Sequence, residues 1–105
     1  MSVLKWLSIV TCGLFATHER PIFLLFDENS LEISNGICNL LSYLGADVVS
    51  LCQNETVCKK DYTLYDGVFT ITKKFSKVLV TFERLNGQKR KIYRKTFQAK
   101  NLPFR

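Results

Sequence analysis

Side chains suited to covalent chemistry are few in this sequence and are not grouped. His18 is the single histidine. A Ser or Cys nucleophile needs a base held beside it. His18 sits in the turn-like stretch Thr17-His18-Glu19-Arg20, so it reads as a surface residue. The cysteines are Cys12, Cys38, Cys52 and Cys58, with no C-x-x-C pair among them. A structural zinc site takes four Cys or His ligands, usually in two closely spaced pairs. Only Cys52 and Cys58 are near neighbours, so no metal is expected and the thiols read as reduced and packed. Carboxylates come close at Asp27/Glu28 and Asp61/Asp66, without the spacing of a cation-binding loop. Asp27 ends an apolar run ahead of a helix, the position at which open α/β sheets bind ligands. That helix has no glycine-rich loop, and its acidic first turn repels phosphate. Asp27 and Asn29 therefore read as capping residues. No catalytic residue, cofactor or enzymatic activity is expected.

Charge is where the chemistry of this chain is concentrated. The net charge is +6. Residues 1–58 hold two basic and six acidic side chains, and residues 59–105 hold thirteen basic and three acidic. So steep a polarity bears on partners, not on fold. It peaks in LNGQKRKIYRKTF, residues 85–97, where five of the seven positions from Lys89 to Lys95 are Lys or Arg. The candidate binding residues are Lys73, Lys74, Lys77, Arg84, Lys89, Arg90, Lys91, Tyr93, Arg94 and Lys95. In the first reading they form a nucleic-acid-binding surface for DNA or RNA. The cations take the phosphates, and Tyr93, with Tyr62 or Tyr65, stacks on bases. In the alternative the chain is a non-catalytic assembly or adaptor subunit, viral or regulatory, whose basic hairpin meets an acidic protein surface. Basic groups gathered on one continuous face favour the first reading, and scattered ones the second.

These residues need elements to position them. The chain is long enough for one domain, 1–105. Its acidic half is a strand–helix–strand pattern. Ile22 to Phe26 is an unbroken apolar run, the mark of an inner strand covered on both faces. Ile33, Ile37, Leu40, Leu41 and Leu44 make one helical stripe. Asn29 or Ser30 offers the N-cap, and Gly45 a left-handed C-terminal stop. Residues 46–52 read as a second strand, either parallel to the first in a right-handed βαβ unit or returned by the helix to an antiparallel neighbour. The N-terminal stretch from Ser2 to Val10 reads as a half-buried strand. As a secretion signal it fits poorly, because cleavage after Ala16 leaves Leu14 where a small residue is needed. The expected location is inside the cell, cytoplasmic or nuclear. Secretion is the weaker reading, and in it Asn54-Glu55-Thr56 becomes a glycosylation acceptor. No apolar run is long enough to span a bilayer.

The basic half reads as β-hairpins. Asp66-Gly67 between Tyr62–Tyr65 and Val68–Thr72 is a hairpin signature, and so is Asn86-Gly87 between 77–85 and 89–97. A two-residue loop at Asn86-Gly87 sets Phe82 opposite Lys91, and a three-residue loop sets it opposite Ile92. Whatever the loop, alternation puts Lys89, Lys91, Tyr93 and Lys95 on one face and Arg90, Ile92, Arg94 and Thr96 on the other. Charge on both faces predicts a sheet edge, where it opposes strand-to-strand aggregation. The expected fold is α+β, with one helix packed on a mainly antiparallel, curled sheet of five to seven strands ending in two β-hairpins. One helix cannot cover both faces of such a sheet, so a homo-oligomer or a subunit of a larger complex is expected.

Overall fold

The computed structural model describes residues 2–17, 19–27, 31–51, 65–86 and 89–102. Of the two pairings open to the strand–helix–strand segment, the parallel βαβ unit is the one that forms. Strand β1 (Ile22–Asp27) leads to a long helix, Leu31–Leu44, and to strand β2 (Asp47–Leu51), which pairs parallel to β1. The helix ends in a Schellman arrangement. Gly45 takes φ +104°, its N–H donates to the Ser42 carbonyl at 3.0 Å, and the Ala46 N–H donates to Leu41 at 3.0 Å. The N-cap positions Asn29 and Ser30 lie outside the described residues.

The N-terminal stretch is a helix, not a strand. Helix α1 (Val3–Val10) starts at Ser2, whose hydroxyl accepts from the Lys5 N–H at 3.1 Å. Val3, Trp6, Leu7 and Val10 are its buried residues, the i, i+3, i+4, i+7 stripe of an amphipathic helix. A short turn of helix, α2 (Leu14–Thr17), follows, and the Leu31–Leu44 helix is α3.

Strands β3 (Gly67–Lys74), β4 (Lys77–Asn86) and β5 (Lys89–Gln98) complete a sheet in the order β2-β1-β3-β4-β5. The α+β class, the five strands and the ending in two hairpins, β3–β4 and β4–β5, are as expected, but the first of these hairpins turns at Phe75-Ser76 and not at Asp66-Gly67. The sheet is mixed and does not close: β1 is parallel to both β2 and β3, and the β3–β4 and β4–β5 pairings are antiparallel.

Asp66-Gly67 does not make a hairpin, because β1 and β4 occupy the two sides of β3. These residues serve another purpose. Asp66 joins the start of β3 to β1: its N–H donates to the Ile22 carbonyl at 2.8 Å, and its carboxylate accepts from the Ile22 N–H at 2.9 Å. Gly67 leaves room for a neighbour, since a Cβ there would overlap the Phe82 ring.

The last hairpin takes neither anticipated register. Asn86 pairs with Lys89, which sets Phe82 opposite Tyr93 and Glu83 opposite Ile92. Asn86, the first residue of the Asn-Gly signal, is thereby part of the ladder. This register aligns two aromatic residues, and their rings stack with centroids 6.4 Å apart.

Helices α1 and α3 both lie on one face of the sheet. Phe23, Leu25, Phe69, Ile71, Val78, Val80 and Phe82 of that helix face are fully buried. Phe82 stacks on Phe69 at 4.3 Å and meets Phe23 edge-on at 5.6 Å. Trp6 of α1 meets Phe97 of β5 at 6.0 Å. On the opposite face, termed open because neither α1 nor α3 covers it, Leu24 and Val68 are buried in the middle of the sheet. Ile22, Val49, Leu79 and Ile92, on the same face, are exposed. Leu102 joins the core after a 3-10 turn at Ala99–Asn101. Among the described residues, no helix is long and apolar enough to cross a membrane.

Candidate binding margin along the edge strand

β5 is an edge strand, as its two-sided charge predicts. The ladder divides the candidate residues between the two faces of the sheet. Lys73, Arg84, Lys89, Lys91, Tyr93 and Lys95 take helix-face positions, and Lys74, Lys77, Arg90 and Arg94 take open-face positions. They do not make one continuous face. Only Lys89, Arg90, Lys91, Tyr93, Arg94 and Lys95 belong to β5, whose ten residues run about 30 Å, while Lys73 and Lys74 stand on β3 and Lys77 and Arg84 on β4. Lys89 and Arg90 are placed by their ladder positions alone. Lys91 and Arg94 are exposed, and Tyr93 and Lys95 are half-buried.

The register leaves this charge without an opposing carboxylate on β4. Directly across from Lys89, Arg90, Lys91, Arg94 and Lys95 stand Asn86, Leu85, Arg84, Thr81 and Val80. Glu83 is the single acidic residue between Gly67 and Gln98, against nine basic ones. It faces Ile92 and lies diagonal to the positions of Arg90 and Arg94. Lys91 faces another cation, a pairing that costs free energy between neighbouring strands.

Two candidates are drawn into the fold. Arg84 reaches back to the turn after α1, where its Nη1 donates to the Cys12 carbonyl at 2.7 Å. Its Nε is buried with no hydrogen-bond partner, and Gly13 leaves space beside its Nη2. Arg84 thus tethers the N-terminal helix to β4. The Tyr93 ring lies along Phe82, so base stacking by Tyr93 would compete with packing against the core. Tyr65 precedes β3, half-buried, and Tyr62 lies outside the described residues.

The structure adds a residue that the sequence did not single out. Phe75 forms the β3–β4 turn with Ser76, is 92% exposed and has φ +58°. Lys74 and Lys77 pair at the base of this turn, and Lys73 is one step further in. Left-handed backbone is uncommon for a bulky residue. A turn flanked by Lys with an aromatic at its tip is a signal that local inspection of KKFSK could have raised.

Burial pushes the Cys38 thiol above its ordinary value, opposed by the Ser34 hydrogen bond and reinforced by the Asp27 charge. A thiol so held is a poor nucleophile at neutral pH. Cys12 is exposed, while Cys52 and Cys58, with Asn54-Glu55-Thr56, lie outside the described residues. Among the described residues no group of His, Cys, Asp or Glu could hold a metal. Compared with family models, curated proteins and solved structures, the chain matches none.

Proposed function

We propose that this chain is a non-catalytic binding module that recognises an acidic protein partner along the β5 margin. The observation that carries the reading is the ladder register, in which no β4 carboxylate opposes any of the five basic residues of β5. Their mutual repulsion is relieved by a partner that brings negative charge. The division of the cations between two faces suits a partner that engages the edge from both sides, and suits a flat nucleic-acid platform less well.

Nucleic acid is the second reading, favoured by Phe75. An exposed aromatic beside Lys73, Lys74 and Lys77 has the composition of a base-stacking site.

Fluorescence anisotropy separates the two. A glutamate-rich peptide, single-stranded RNA and duplex DNA are titrated over a salt series, with the native chain and with Lys91, Arg94 and Lys95 replaced by Gln. The proposal expects the peptide to bind, salt to weaken it, and the triple variant to lose at least tenfold. Nucleic-acid binding with no peptide binding would transfer the function to the second reading. In that case the slope of log affinity against log salt is about 0.7–0.9 per phosphate neutralised.

A further inference from the structure

We infer that β5 takes its partner by strand addition, and that the added segment has the pattern acidic-acidic-apolar-apolar-acidic-acidic. The inference rests on the acidic-partner reading above and specifies its geometry.

β5 has no strand on its outer side among the described residues. In an antiparallel ladder, residues alternate between those bonded to the neighbour and those directed away from it. Roughly half of the ten residues of β5 therefore offer N–H and C=O groups to an incoming chain. An exposed edge of this kind recruits extended peptides through the main chain and selects them through alternate side chains.

The selection can be read residue by residue. From Arg90 to Lys95 the strand runs Arg-Lys-Ile-Tyr-Arg-Lys. Arg90, Ile92 and Arg94 occupy the open face, and Lys91, Tyr93 and Lys95 the helix face. Each face thus presents cation, apolar, cation. Ile92 is 57% exposed, and Tyr93 is half-buried. Directly opposed residues of adjacent strands lie on the same face, about 4.5–5.5 Å apart at Cβ. A segment with acids across from residues 90, 91, 94 and 95, and apolar side chains across from Ile92 and Tyr93, satisfies both faces together. The pattern is symmetrical, so parallel and antiparallel entry both fit it.

The same charges that admit this segment reject a second copy of the chain. Two β5 edges brought together oppose Lys and Arg with Lys and Arg, the arrangement natural sheets use against self-association. Specificity then arises from repulsion of the wrong partner as well as attraction of the right one.

The test uses the full chain and three synthetic peptides. The first carries Glu-Glu-Val-Val-Glu-Glu, and the second carries the same residues as Glu-Val-Glu-Glu-Val-Glu. The third is the first with alternate backbone amides N-methylated on the edge that would pair. The matched peptide should bind at least tenfold more tightly than the scrambled one, and N-methylation should cost at least tenfold. Arg94→Glu and Lys95→Glu, on opposite faces, should each weaken it, and a Lys placed across from the changed residue should restore binding. Equal binding of all three peptides overturns strand addition and leaves the acidic-partner reading standing. Sensitivity to one face alone overturns it too. Failure of every peptide, with RNA bound instead, overturns the acidic-partner reading itself.

Discussion

Arg84 separates a structural cation from binding cations, and its replacement gives a quantitative test of that division. Its guanidinium donates to the Cys12 carbonyl at 2.7 Å and fastens the turn after α1 to β4. A hydrogen bond from a charged donor contributes about 1.5–3 kcal/mol. Two features favour the low end. Cys12 is exposed, so water can replace the lost donor, and Arg84→Gln also removes a buried Nε that has no partner. The expected loss is about 1.5 kcal/mol, which for a domain near 100 residues lowers Tm by roughly 6–12 °C. Arg84→Lys keeps the charge but not the forked donor, and should destabilise by about 1 kcal/mol. Arg94→Gln, at an exposed position, should change stability by less than about 0.5 kcal/mol while weakening the acidic peptide. Circular dichroism melts and anisotropy titrations of all three variants decide it. The reasoning fails if Arg84→Gln melts with the native chain and loses affinity as Arg94→Gln does.

Three further outcomes follow from the packing. Gly67→Ala should destabilise by about 1–3 kcal/mol through overlap with the Phe82 ring. In urea unfolding, adding Phe82→Leu should recover part of the Gly67→Ala loss, and strict additivity would refute the clash. Phe75→Asn should raise stability by about 0.5–1 kcal/mol, because Asn accepts the left-handed turn better than Phe. A lower Tm would show that the exposed ring is anchored. Cys12 should be alkylated well before Cys38 in native protein at neutral pH, followed by mass spectrometry of the peptides. The fold holds the Cys38 proton more tightly than the unfolded chain does. Its contribution is therefore intact below the ordinary thiol range and declines as pH rises through it, and Cys38→Ala should remove that part of the decline.

The legibility of this fold varied from element to element. The Ile22–Phe26 run, the α3 stripe and Gly45 each had one physical meaning, so the strand–helix–strand order was readable, while the parallel sense of β1 and β2 was not, because the helix could return the chain in either direction. Helix α1 was not, because Leu4 and Ile9 fill the gaps between Val3, Trp6, Leu7 and Val10 and hide the period. Ser2 as an N-cap was the available clue. Asp66-Gly67 imitates a hairpin turn because its two residues satisfy tertiary needs: a carboxylate for Ile22, and space for Phe82. The edge position of β5 was readable from its two-sided charge. Its register was not, since the pairing of Phe82 with Tyr93 overrode the Asn-Gly preference. The engagement of Arg84 with Cys12, 72 residues earlier, left no local trace. No sequence spacing separates such a cation from its solvent-facing neighbours.

The central claim is that an acidic partner is held along β5. Amide shift mapping of the isotope-labelled full chain, titrated with a glutamate-rich peptide at low and physiological salt, tests it most directly. The claim predicts the largest shifts along β5, Lys89–Gln98, on residues of both faces, diminishing as salt rises. Shifts confined to Lys73, Lys74, Phe75 and Lys77, or none at any salt, would contradict it.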